Sequence, residues 1–336
     1  WDKYSGKREG NVFFMNSNAI AAKQKADASF KKKGLIFAIM SGVCYGLYTG
    51  FLTLGMAKGV WGADWYGANT SGLSAFVITY VLGALGSAVN DTISGIWSLI
   101  SVAIKGELGD FFRCLKTKPG LVMIVCALIG GPIASTCYVV ALQMGGSIIV
   151  PVAALNSAFG AIIGHFVFKQ ELNGRMIFGI LVCLFAAGVI GGTSFANLGP
   201  TALMACGVAL ICALGWGIEG AVAGFGTTLI EYNIGITIRQ CTSGLSNMII
   251  LLPIMCMIDG NIGLAPNLLG TAFTDSSIIF FIISGFFAMP AFSFWYKGNS
   301  MCGAALGMVC NGAYAFWGPF FCMIVCGFIG GIDGYV

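Results

Sequence analysis

Long apolar stretches separated by short polar links set the pattern of this chain. A helix needs about 20 apolar residues to cross the hydrocarbon of a bilayer. On that measure the sequence predicts nine spans, near 34–57, 76–104, 120–142, 146–168, 173–193, 200–227, 232–257, 276–297 and 302–328. Residues 1–33 are polar and carry eight Lys/Arg. They lack the apolar core and cleavage site of a signal peptide, and read as a mobile basic tail with a short amphipathic part. The chain opens on Trp1, and Met15 is a candidate start.

Residues 70–104 are long enough for one tilted helix or two short pieces. Charge chooses between them. If the stretch crosses once, the N-terminal segment, Lys105, Arg113, Lys116, Lys118, Lys169, Arg175 and Lys297 all lie on one side, which is 15 of the 17 basic residues. The positive-inside rule then places the N-terminus in the cytoplasm of a multi-pass cell-membrane protein. Nine spans leave the C-terminus outside after the Gly330–Gly334 turn, so a tenth helix is expected to be missing from this sequence.

Composition sharpens the class. Hydrophobic residues make up 57%, charged residues 9%, and mean hydropathy is +0.89. A soluble domain carries about a quarter charged residues. Glycine, at 50 of 336, supplies small-xxx-small faces such as Gly42–Gly46–Gly50, which let helix backbones approach in lipid. The 13 cysteines lie mostly in apolar runs with no C-x-x-C, and Cys322 and Cys326 have no His or carboxylate neighbour to complete a metal site. They read as packing residues, with no metal and no cofactor. No P-loop, H-E-x-x-H or nucleophile elbow is present, and the single His165 sits near the end of a span as an interfacial hydrogen-bonder. These absences argue against ATP-driven transport and against an enzyme. The net charge of +4, from the basic tail, suits an anionic membrane surface better than nucleic acid.

The halves resemble each other weakly. Tyr45-Gly46-Leu47-Tyr48 parallels Trp216-Gly217-Ile218-Glu219. Asn90-Asp91-Thr92-Ile93-Ser94-Gly95 parallels Arg239-Gln240-Cys241-Thr242-Ser243-Gly244, and Asn156 with Phe159 parallels Asn311 with Tyr314. Five helices per repeat is odd, so the halves would be inverted, an architecture of secondary transporters with the substrate site at the midplane. The expected fold is therefore all-α and polytopic, with a tail at 1–33, a first repeat at 34–193 and a second at 200–336.

Ionisable residues at membrane depth cost about 2.5–3.5 kcal/mol each on insertion scales and mark function by default. Asp91 and Glu219 are the two acids there. An unpartnered acid in hydrocarbon favours its protonated form, and solute or water entry favours ionisation, a basis for proton coupling. The rival reading pairs one of them structurally with Arg239. Aromatics crowd the same helices: Tyr45, Tyr48, Trp97, Trp216, Trp295, Tyr296, Tyr314 and Trp317. A cage of rings suits a quaternary ammonium, at about 0.5–2 kcal/mol per well-placed ring.

The run from Gly145 through Phe168-Lys169-Gln170-Glu171-Leu172 to Gly192 resembles the drug/metabolite transporter superfamily. Within it the chain is most similar to bacterial proton-coupled choline transporters, through Asn90-Asp91, Gly130-Gly131-Pro132-Ile133, Leu214 to Glu219, Ile238 to Ser243, and Asn311 through Tyr314 to Trp317. The resemblance implies ten helices in two inverted repeats, an aromatic pocket and buried acids. Trp216, Glu219, Tyr314 and Trp317 match. Tyr45 stands where a Trp is expected, Asn90 where a His is, Trp295-Tyr296 replaces an aromatic pair, and Gly220 in place of a Ser implies a larger pocket. The implied function is import of choline or a related quaternary amine, with Asp91 and Glu219 as coupling acids. Tyr45, Trp216, Trp295, Tyr296, Tyr314 and Trp317 would form the walls, and Asn156 and Asn311 would hold the substrate hydroxyl. A carrier or exporter of another small solute (amino acid, sugar or drug) is the alternative. The expected partners are the solute and the bilayer.

Overall fold

The computed structural model describes residues 17–59, 73–174, 176–182, 184–185, 200–226 and 229–332. Ten helices organise them: α1 (Ser17–Met56), α2 (Val77–Ile104), α3 (Leu108–Cys114), α4 (Lys118–Gly145), α5 (Val150–Phe168), α6 (Pro200–Gly226), α7 (Tyr232–Ile258), α8 (Leu264–Thr274), α9 (Ile278–Cys302) and α10 (Ala304–Ile329). Among the described residues, eight of these, all but α3 and α8, are long and apolar enough to cross a membrane. Residues 176–182 and 184–185, within the expected fifth span, are also helical. Residues 173 and 174 are described as well, and 175, 183 and 186–193 of that span lie outside the described residues.

From Val77 to Ile104 the stretch in doubt is one continuous helix, α2, as the charge argument required. The N-terminal segment differs from expectation. From Ser17 it belongs to α1, which at 40 residues is about 60 Å long and outruns the bilayer. Ala, Lys and Gln are strong helix formers, and no Gly or Pro interrupts residues 17–33. Helix α8 was not foreseen, because an 11-residue amphipathic segment is too short to register as a span.

Many exposed side chains on the spans are apolar, including Ile249, Ile250, Phe166 and Phe328, while Asp91, Glu219, Arg239, Asn90, Gln240 and Asn247 are buried. This is the distribution a lipid solvent imposes. Helix α1 packs along α9 and α10, α6 packs along α4 and α5, and α2 packs against α7 between them. Two basic residues, Lys105 at the end of α2 and Lys297 of α9, meet around Tyr232. Lys297 Nζ lies 4.1 Å from the Phe37 ring centre and 4.6 Å from that of Tyr232, and Lys105 Nζ is 5.6 Å from the same Tyr232 ring. Helix α9 runs past the expected end at 297, so Lys297 is a helix residue rather than part of a loop.

Candidate functional site

The site begins with a proline. Pro132 lacks an N–H, so α4 cannot keep its regular ladder there and widens into a π-helical segment, Ile129–Ser135. The Gly130 carbonyl turns inward and accepts three hydrogen bonds: from Trp216 Nε1 (3.0 Å), Arg239 Nη2 (3.1 Å) and Ser135 Oγ (2.9 Å). Arg239 comes from α7, and Trp216 with Glu219 from one face of α6. Arg239 Nε donates to Glu219 Oε1 at 2.8 Å and Nη2 approaches Oε2 at 3.4 Å. Its remaining donors reach Ser135 Oγ (3.0 Å) and the Gln240 amide oxygen. The Tyr296 hydroxyl donates to Glu219 Oε1 at 2.9 Å.

Asp91, from α2, completes the network. Its Oδ2 lies 3.9 Å from Arg239 Nη1, an ion pair without a hydrogen bond, and it accepts from the Ser243 hydroxyl. Arg239 and Glu219 are fully buried and Asp91 is 2% exposed. Two carboxylates thus share one guanidinium, and among the described residues no other cationic side chain pairs with either acid. With both acids ionised the network carries a net charge of −1.

Beside it is a closed chamber of about 10 Å³, lined by Ser41, Tyr45, Asn156, Trp216, Ala291, Phe292, Trp295, Asn311 and Tyr314. That is room for about one water. The rings meet edge to face or tilted: Tyr45 with Trp216 at 5.8 Å between centres, Tyr45 with Tyr314 at 4.3 Å, and Phe292 with Trp295 at 6.1 Å. Two residues join chamber to network. Trp216 lines the chamber and bonds the Gly130 carbonyl, and Phe292 lines it with its ring 4.3 Å from the Arg239 guanidinium carbon. Neither acid is among the residues that line the chamber, and it is Arg239 that lies over the Phe292 ring.

Of the residues singled out from the sequence, Tyr45, Trp216, Trp295, Tyr314, Asn156 and Asn311 line the chamber. Asp91, Glu219 and Tyr296 form the ion network, so Arg239 pairs with both acids rather than one. Asn311 Nδ2 donates to Ser41 Oγ at 2.7 Å and the Tyr314 hydroxyl to Asn156 Oδ1 at 3.2 Å, so both amides are tied to neighbours in this state. Trp317 is not brought in. It lies one turn beyond Tyr314 on the same helical segment and packs against Phe316, Phe320 and Phe321, with its backbone against Gly46 of α1. Trp97 lies at the periphery, its Nε1 on the Ile282 carbonyl. The larger pocket expected at Gly220 is not there: the Trp295 ring and the Met308 sulfur fill that space. His165 bonds the Gln170 carbonyl at 2.8 Å as an end-of-helix residue. Sequence reasoning missed Phe292, Ser41 and Tyr138. The signal for the first two was their placement one turn from Trp295 and Tyr45. Among the described residues no His/Cys/Asp/Glu cluster of three could hold a metal.

A Trp216→Phe variant is expected to cost only about 1 kcal/mol in thermal unfolding. The Gly130 carbonyl keeps Arg239 and Ser135 as donors when the indole N–H is lost.

No family model matches this chain, and no curated protein sequence matches it. Seven chains of solved structures do match. One, described only as a protein crystal structure, superposes with a TM-score of 0.53 over 89% of this chain and 90% of its own, at 17% identity. At that identity the likeness carries the fold alone. Fold and site together define a polytopic helical membrane protein with a buried ion network at its centre, set beside a closed aromatic chamber.

Proposed function

We propose that this protein is a secondary active transporter that carries choline or a related quaternary amine across the cell membrane on a cation gradient. The observation that carries this reading is the aromatic chamber of Tyr45, Trp216, Phe292, Trp295 and Tyr314 abutting a buried network one positive charge short. Rings stabilise a permanent cation, and the nearby negative charge favours it further. At about 10 Å³ the chamber is far smaller than a quaternary amine, so loading requires helices to part. An open cleft of about 360 Å³, lined by Lys31, Glu171, Cys302 and Leu306 among others, runs over α1, α9 and α10, which also build the chamber.

Two inverted repeats supply the moving parts in this reading. Reciprocal contacts support the repeat. Ser243 donates to Asp91 while Gln240 donates to Ser94 at 2.5 Å, and the sequence alignment of the halves exchanges these two pairs. A Cβ on Gly95 would meet the Gln240–Cys241 backbone, and one on the aligned Gly244 would meet Thr92. The packing of α1 on α9 and α10, and of α6 on α4 and α5, exchanges in the same way. The count of basic residues in the N-terminal segment and in the links on one side of the expected spans supports a cytoplasmic N-terminus. The alternative reading, a carrier for another small polar solute, would draw on Asn156, Asn311 and Ser41 in the same chamber.

Uptake of radiolabelled choline into proteoliposomes under an imposed cation gradient tests the proposal. Accumulation is expected, with Trp216→Ala raising the half-saturating choline concentration about tenfold, the equivalent of about 1.4 kcal/mol for one ring. Folded protein that accumulates no choline under any gradient would discard the quaternary amine and direct the search to other solutes, with the fold untouched.

A further inference from the structure

The facing surfaces of α2 and α7 carry polar stripes that the chamber does not use. Ser87 and Asp91 lie one turn apart on α2, and Ser243 and Asn247 one turn apart on α7. Hydrogen bonds close the quartet at both ends: Ser243 to Asp91 at one, Asn247 Nδ2 to Ser87 Oγ at 3.2 Å at the other. Thr136 of α4 donates to Ser87 Oγ at 3.3 Å. Asn247 is 1% exposed, and its Oδ1 has no hydrogen-bond partner. A buried amide oxygen left unpaired is costly, so it asks for a ligand that the protein itself does not provide. Asn247 also opens a π-helical turn, Asn247–Leu251, a local widening common at ligand sites.

The repeat sharpens the point. Aligning the halves sets Gln240, Ser94, Ser98 and Ile236 opposite Asp91, Ser243, Asn247 and Ser87. The counterpart quartet has an amide for the acid and an isoleucine for Ser87. Only one of the two related places holds a negative charge and a spare oxygen.

We infer that Ser87, Asp91, Ser243 and Asn247 form a sodium-ion site. The donor set is all oxygen, which hard cations prefer over transition metals. The charge selects the valence: one monovalent cation brings Asp91, Glu219 and Arg239 to neutrality, whereas a divalent ion would leave a buried excess of +1. The Tyr48 phenol of α1 faces the network as well, and it adds no cation. The inference concerns binding, and it stands or falls apart from the identity of the transported solute.

The test is thermal unfolding of the purified full-length protein in NaCl against KCl at equal ionic strength. A saturable rise in Tm with Na⁺ alone is expected, about 5 °C at roughly 100 times the dissociation constant. Asn247→Ala leaves every charge in place and should abolish the Na⁺ response. Asp91→Asn removes the excess charge, so it should melt no lower than the wild type without Na⁺ and gain nothing from it. If Asp91→Asn does not fold, Asn247→Ala and Ser87→Ala carry the test. Equal Tm in the two salts at every concentration overturns the site. So does stabilisation by acidification alone, which would assign the missing positive charge to a proton.

Discussion

Replacing Arg239 with Gln is expected to destabilise the protein by about 3–5 kcal/mol, the largest effect of any single side-chain deletion in the site. The guanidinium is fully buried and spends its donors on Glu219, Ser135, Gln240 and the Gly130 carbonyl. Its removal leaves two carboxylates facing each other without a cation inside the membrane. The loss measures the uncompensated charge, not the worth of the ion pair, since a buried pair returns little beyond its own desolvation. The double variant Arg239→Gln with Glu219→Gln is therefore expected to be more stable than Arg239→Gln alone. Denaturant unfolding of the single and double variants in one detergent checks this. A double variant as damaged as the sum of the two singles would mean that Arg239 does not act through Glu219.

The second large effect is expected from adding one methyl group. In Gly130→Ala the new Cβ would fall on the Glu219 carboxylate, overlapping both oxygens. Neither partner can yield cheaply. Glu219 is held by Arg239 and Tyr296, and Gly130 sits where its own carbonyl anchors Trp216 and Arg239. Overpacking alone costs about 1–3 kcal/mol, and a displaced ion pair adds to it, so a loss of at least ~3 kcal/mol is expected. Gly130→Ala in a Glu219→Ala background should cost much less, because the clash has gone. Measured coupling between the two sites, by unfolding of the four proteins of the cycle, separates this from a general loss of helix packing. Gly131→Ala offers a parallel case, since its Cβ would strike the Ser243 side chain that binds Asp91.

Both effects depend on residues the sequence brings to notice for other reasons. Gly130-Gly131-Pro132 stood out as a motif of resemblance, and Arg239 as a charge within a span. Neither showed by itself that a carbonyl in the π-helical turn around Pro132 would gather an indole, a guanidinium and a hydroxyl. The acids were recognisable as buried, and the rings of Tyr45, Trp216, Trp295 and Tyr314 as wall material. That the acids are paired with Arg239 and do not line the chamber was not.

The amino-acid sequence by itself determined an all-helical chain apolar enough to cross a membrane many times, and α2 as one helix. These rest on hydropathy and charge summed over local windows, and lipid as solvent makes that sum decisive. It also set which polar residues would have to be buried. Only the tertiary structure decided which of them meet. Glu219 and Arg239 are 20 residues apart and Asp91 and Ser243 are 152 apart, and their contacts exist because glycines let α4, α6, α2 and α7 come close. It likewise decided that Met308 and Trp295 would fill the space at Gly220, and that Tyr314 would line the chamber while Trp317, one turn further on, packs among Phe316, Phe320 and Phe321. Pairing across helices turns on close packing, where an ångström separates a hydrogen bond from a clash, and no local pattern along the chain records it.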